Sequence, residues 1–118
     1  ALYDCAPLTH WGKGAVTLLG DAAHPMLPYL AQGGAMAIED AAVLAECLAQ
    51  RPDDAASAMR SYESMRMGRT ARTQRAAERN GSLYHLGGAG AALRTLALMI
   101  GGSRLIKRYD WLYGWKPV

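Results

Sequence analysis

The residues best suited to chemistry fall within one stretch, Val16 to Asp40, which reads VTLLGDAAHPMLPYLAQGGAMAIED. A short apolar run delivers Gly20-Asp21 at its carboxyl end, the place where open α/β sheets bind ligands. A carboxylate leaving a strand through a glycine turn is suited to accept hydrogen bonds from sugar or polyol hydroxyls. A dozen residues later, Gly33-Gly34 opens a helix whose first backbone N–H groups carry no obstructing side chains. Such a helix start holds roughly half a positive charge and favours an anion or an electron-rich carbonyl. The pair therefore asks for a ligand with hydroxyls near one end and developing negative charge near the other. A flavin has that form, with ribityl hydroxyls at Asp21 and the N1–C2=O edge of its ring at the Gly33 to Met36 amides. On residue chemistry alone the site is one for a polyol joined to an anion.

These residues need elements to position them. With 118 residues, 51% hydrophobic and 19% charged, the chain has the size and balance of one ordinary domain with a real core. No apolar run approaches the roughly 18 to 20 residues that span a bilayer, and no secretory pattern opens the chain, so a cytoplasmic protein without a membrane partner is expected. Cys5 and Cys47 have neither disulfide-framework nor zinc spacing, which reads as two free thiols. Through Asp54 there are 2 basic and 7 acidic residues, and after it 11 basic and 3 acidic, so the halves differ sharply in charge.

The run Ala15 to Leu19, bounded by glycines, predicts a strand buried on both faces. Ala1-Leu2-Tyr3 could be the tail of a second. A sheet of one and a half strands cannot satisfy its backbone, which implies a piece of something larger or a paired chain. An irregular stretch with Pro25 and Pro28 follows, and then a helix from Gly33 or Gly34 to about Gln50. Arg51-Pro52-Asp53-Asp54 breaks it and supplies N-cap candidates for a longer helix from near Asp54 to Asn80-Gly81. That helix carries Ala58, Met59, Tyr62 and Met65 toward a core, and Gly68 allows a local bend. A third helix is expected over about 91–100, stopped by Gly101-Gly102. A short fourth over about 103–109 precedes the aromatic tail Trp111 to Trp115.

The runs Gly20-Asp21-Ala22-Ala23-His24-Pro25 and Gln32 to Asp40 resemble the second FAD-binding motif of class A flavoprotein monooxygenases, the para-hydroxybenzoate hydroxylase-like aromatic hydroxylases. Asn80 to Leu86, Tyr109 to Trp115, and Tyr62-Glu63 with Arg66 and Arg69 are similar to the salicylate and 3-hydroxybenzoate hydroxylase branch. The resemblance implies a carboxy-terminal fragment, mainly α with one or two short strands, of an α/β FAD-binding (Rossmann-like) fold. Residues 1–50 would be the carboxy-terminal part of the FAD-binding domain and residues 51–118 a helical region packing on it. It further implies that Gly20 and Asp21 meet the ribityl chain of FAD, while the amides of Gly33, Gly34, Ala35 and Met36 contact the pyrimidine edge of the ring. Pro28, Tyr29 and Gln32 would lie beside the aromatic substrate, with packing an equal alternative for Tyr29 and Gln32. In this family NADH or NADPH reduces the flavin and one oxygen atom of O2 passes to a phenolic ring.

Departures are plain as well. The amino-terminal GxGxxG and the DG motif are absent, so the ADP half of FAD lacks a visible site and a missing amino-terminal portion of the protein is the implied partner. A homodimer is also allowed. Cys5 stands where relatives commonly have arginine, and Gly68 where proline is usual. His24 could be a metal ligand or base with His10 or Cys5, but a structural histidine before Pro25 fits better, and no metal is expected. The arginines Arg66, Arg69, Arg72, Arg75 and Arg79 span about half a helix circumference, a solvated or inter-domain face rather than a reading edge for specific nucleic acid. The competing reading is a stand-alone helical interaction or nucleic-acid-binding module using the basic second half.

Overall fold

The structure, a computed structural model, describes residues 5–116. Two strands of two residues each, β1 (Gly12–Lys13) and β2 (Val16–Thr17), pair antiparallel with Gly12 opposite Thr17 and Lys13 opposite Val16. Gly14, at φ +59°, makes the turn between them. Two 3-10 turns, Gly20–Ala22 and Pro28–Leu30, lead to the helix α1 (Gly33–Gln50). Then come α2 (Ala55–Tyr84), α3 (Gly88–Lys107) and the single turn α4 (Asp110–Tyr113). The chain is thus mainly helical with two short strands, as expected.

The helix starts follow local chemistry. Asp54 caps α2 by accepting a 3.0 Å hydrogen bond from the Ser57 amide, and that bond holds its carboxyl below the usual carboxylate range. Ala58 and Tyr62 enter the core as their spacing predicts, whereas Met59 is half-buried and Met65 lies 52% exposed.

Three expectations are corrected. The run Ala15 to Leu19 is not a strand buried on both faces: only Val16–Thr17 is paired as a strand, and Val16 is 69% exposed. Its pairing partner is the segment just before it, reached through the Gly14 turn, because no other described segment is extended beside it. Asn80-Gly81 does not end α2, which continues to Tyr84, and Gly101-Gly102 does not end α3, which absorbs the expected fourth helix. Glycine stops a helix by adopting positive φ, and among the described glycines only Gly14, Gly20 and Gly88 do so. The strand tail at Ala1 to Tyr3 lies outside the described residues.

The core forms where α1, α2 and the hairpin meet. Trp11, Ala23, Val43, Cys47, Ala58 and Tyr62 are buried together, with Leu18, Leu44, Leu48, Met67 and Trp115 packed around them. The radius of gyration, 17.1 Å, exceeds the roughly 13 to 14 Å of a compact globule this long, and the extents are 58 × 30 × 18 Å. α3 contributes to that elongation, with Leu93, Leu96, Met99 and Ile100 all more than half exposed.

Candidate functional site

Asp21 sits in the first 3-10 turn, exposed, and its carboxylate points at the beginning of α1. A Cβ built on Gly33 would lie 3.5 Å from Asp21 Oδ1, while one built on Gly34 would meet nothing within 4 Å. The two features that sequence spacing pairs are therefore adjacent in space. Gln32, the N-cap, offers no side-chain hydrogen bond to α1, so the first-turn amides of Gly33, Gly34 and Ala35 stay open. Met36 differs. Its amide donates to Gln32 O at 2.9 Å and its side chain is fully buried, so it supports the helix start from inside and offers no amide to a ligand.

The backbone on either side of this opening is held in conformations of limited choice. Gly20 has φ +62°, and a Cβ there would come within 3.2 Å of Ala37 Cβ. Ala31, immediately before the cap, has φ +51° and is the one described non-glycine residue with positive φ, a conformation costing on the order of 1 kcal/mol. The loop is tightly specified at its two ends.

Residues 6–78 match the family described as FAD binding domain. The chain belongs to that family. Over 115 residues this FAD binding domain chain is 45% identical to a 3-hydroxybenzoate 6-hydroxylase of Klebsiella oxytoca, covering 96% of the chain and 29% of the relative. A 3-amino-4-hydroxybenzoate 2-monooxygenase of Streptomyces cremeus is 48% identical over 85 residues, which is 72% of the chain and 22% of the relative. A solved salicylate hydroxylase in a substrate complex superposes with a TM-score of 0.74 at 31% identity, across 98% of the chain and 28% of the neighbour. The FAD binding domain chain thus spans under a third of the length of each of these three proteins. The resemblance carried by the Gly20 to Pro25 and Gln32 to Asp40 runs is borne out by these matches.

The residues present fit one side of a flavin. Asp21 accepts no hydrogen bond from the described residues, and beside it lie uncapped amides with no side chain at Gly33 or Gly34. An unpartnered carboxylate suits ribityl hydroxyls, and open helix-start amides suit an electron-rich pyrimidine edge.

Beneath this opening the FAD binding domain chain contains a polar network that motif spacing alone does not reveal. Asp40, fully buried, accepts from Gly20 N at 3.2 Å, from Arg66 Nε at 2.7 Å and from His24 Nε2. Burial pushes the Asp40 carboxyl up, but the hydrogen bonds and charges of His24 and Arg66 outweigh it and hold it below the usual carboxylate range. Glu39 takes Arg69 in a fork of two 2.7 Å bonds and pairs with Arg66 at 2.8 Å. Arg69 also donates to the carbonyls of Trp111 and Leu112, tying the tail to α2.

Further along α2, Arg60 donates to Gly12 O and Val16 O, Tyr62 to Leu18 O, and Gln74 to Pro25 O, while Glu63 accepts from Thr17. Burial raises the Tyr62 hydroxyl far above its ordinary range, which keeps it a neutral donor. α2 is therefore the strut against which the hairpin and both ends of the Gly20 loop are fixed.

Other sequence-marked residues fall as follows. Tyr29 lays its ring on Gly81, stacks on Tyr84 at 6.0 Å and meets His85 edge-on at 5.9 Å. Pro28 opens the second 3-10 turn and is exposed; Gln32 is half-buried. His24 meets Asp40 rather than His10, which lies at the surface beside Thr9. Arg66 and Arg69 are not part of a solvated face: Arg66 is 1% exposed and both are ion-paired to α1. The sequence does hold a trace of this network, two adjacent acids flanked by apolar residues on one helix and two arginines one turn apart on the next.

Proposed function

We propose that this chain forms the ribityl and isoalloxazine side of the FAD site in a monooxygenase that hydroxylates a phenolic aromatic acid of the hydroxybenzoate or salicylate type, with NADH or NADPH and O2 as co-substrates. The observation that carries this reading is the exposed Asp21 carboxylate beside the uncapped start of α1. The names of the relatives, all hydroxylases or monooxygenases of aromatic acids, supply the substrate class. Bound FAD would accept electrons from the nicotinamide and pass them to oxygen.

The chain's own residues orient and stabilise. Asp21 accepts hydrogen bonds from the ribityl hydroxyls, while the Gly33, Gly34 and Ala35 amides favour negative charge at the pyrimidine edge, a fixed electrostatic contribution that needs no proton transfer. Pro28 and Gln32, on the loop between these two groups, are assigned to the substrate side, while the Tyr29 ring is taken up by its packing on Gly81, Tyr84 and His85. The network from Asp40 to Arg66 keeps Gly20 in its left-handed turn, so that Asp21 meets the cofactor without an ordering cost at binding.

The test is Asp21→Ala in the intact protein, compared with Asp54→Ala, a surface carboxylate at the α2 cap. Loss of the Asp21 hydrogen bonds should weaken FAD retention by about tenfold or more, consistent with 1.5 to 3 kcal/mol for bonds to a charged group. Equilibrium dialysis with flavin absorbance as the readout would show it, and unchanged flavin content in the Asp21 variant would remove that residue from the site. Arg66 and Arg69 being paired within the chain weighs against the rival nucleic-acid module.

A further inference from the structure

On the far side of α2 from the core, α2 and α3 flank an open groove of about 880 Å³. Five arginines line it, Arg72, Arg75 and Arg79 from α2, Arg94 from α3 and Arg108 beyond it, against a single carboxylate, Glu78. Two of the five are already engaged. Arg94 donates to the last carbonyls of α2 at Leu83 and Tyr84, and Arg72 lies over the Trp111 ring at 3.8 Å from its centroid. Arg75, Arg79 and Arg108 are exposed and make no ion pair or hydrogen bond among the described residues. Arg75 and Arg79 stand one helical turn apart on one face, where like charges repel and destabilise a helix unless an anion lies between them.

Three aromatic residues share the groove: Tyr84, Tyr109 and Trp111. Tyr109 is fixed by a 2.9 Å bond from its hydroxyl to Asn80 Oδ1. Guanidinium forks match phosphate oxygens in pairs, and flat rings offer stacking faces to a base. The volume of this half-open groove falls within the range of small-ligand pockets, which suits a compact anion.

We propose that this groove binds a nucleoside diphosphate, its phosphates held between Arg75, Arg79 and Arg108 and its base against the aromatic rings. The assignment goes beyond the flavin site at Asp21 and Gly33 and stands independently of it.

The experiment uses the intact, flavin-loaded protein, with ADP as the titrant in isothermal calorimetry. Saturable binding at one site is expected, and inorganic pyrophosphate should bind about fivefold or more weakly for want of a base to stack. The Arg75→Ala/Arg79→Ala double variant should lose at least about tenfold in ADP affinity with no fall in melting temperature, since neither side chain has a hydrogen bond or ion pair among the described residues and their mutual repulsion is removed. Flavin content is read in the same samples, so a failure of the Asp21 site shows separately from a failure of the groove. Absence of ADP binding, equal binding by the double variant, or tighter binding of single-stranded DNA or of anionic phospholipid vesicles at the same salt would overturn the proposal.

Discussion

Asp40 is the residue on which the site and the core both depend. It is fully buried, and its two oxygens hold the Gly20 amide, His24 and Arg66 at once. Replacing it with Asn keeps the shape but leaves Arg66 to Glu39 alone, and breaking a buried pair of this kind costs about 3 to 5 kcal/mol. Urea unfolding of Asp40→Asn at neutral pH should show a loss of that order, with lower flavin retention beside it. The pH dependence has a definite sign. A carboxyl depressed in the folded state contributes stability above its ordinary value of 3.8, and that contribution is lost as pH falls through the lower folded value. The gap between Asp40→Asn and the unaltered protein should therefore narrow as unfolding is measured at progressively lower pH below about 4. The same residue shows why sequence reading reaches only part of the site. Asp21 and Gly33 are legible because glycine and aspartate mark backbone geometry locally. Asp40, His24 and Arg66 are separated along the chain and meet only as the loop folds onto α1 and α2 docks on it, which local spacing does not encode.

At the scale of elements, the starts of α1 and α2 and the end of α1 at Gln50 were legible, while the ends of α2 and α3 were not. Asp54 announces α2 through its capping chemistry, and Gly33 announces α1 through the motif. Glycine is ambiguous at the other end, since the same residue type terminates a helix at positive φ or allows close packing within one. Gly81 is the second kind. Ala in its place gains helix propensity of about 1 kcal/mol, yet its Cβ would fall 2.6 Å from Tyr29 Cε2, inside any tolerable contact. Gly68 has nothing within 4 Å of the same position. Thermal melts should therefore separate the two: Gly68→Ala raises the midpoint, by the equivalent of roughly 0.5 to 1 kcal/mol, and Gly81→Ala lowers it as Tyr29 is displaced. A Gly81→Ala protein as stable as Gly68→Ala would show that the Tyr29 packing carries no weight.

For the whole molecule, the charge asymmetry between the two halves acquires a partial explanation. The acids of α1 at Glu39 and Asp40 meet the bases of α2 at Arg66 and Arg69, so part of that split is intramolecular complementarity. Five of the other bases, Arg72, Arg75, Arg79, Arg94 and Arg108, line the α2–α3 groove. On the proposed reading the described residues would hold one side of a flavin, and they contain no GxGxxG loop for its ADP half. Expressed by itself, the 118-residue chain should accordingly retain little FAD after desalting, judged by absorbance near the flavin bands, and stoichiometric retention would contradict the division of the site. The extended form, with α3 standing away from the core, was not legible from composition, because length and hydrophobic content bound how much core is possible and not where it gathers.

The ties from Arg69 also impose an order on assembly. Its guanidinium joins Glu39 to the carbonyls of Trp111 and Leu112, which are made much later than Glu39. On the ribosome, α1 and α2 can dock as soon as both have emerged, but until residue 112 clears the exit tunnel two of the Arg69 donors have only water for company. A nascent chain stalled short of that point carries a loosened helix pair beneath its cofactor loop, and is correspondingly more open to proteases than one that has passed it.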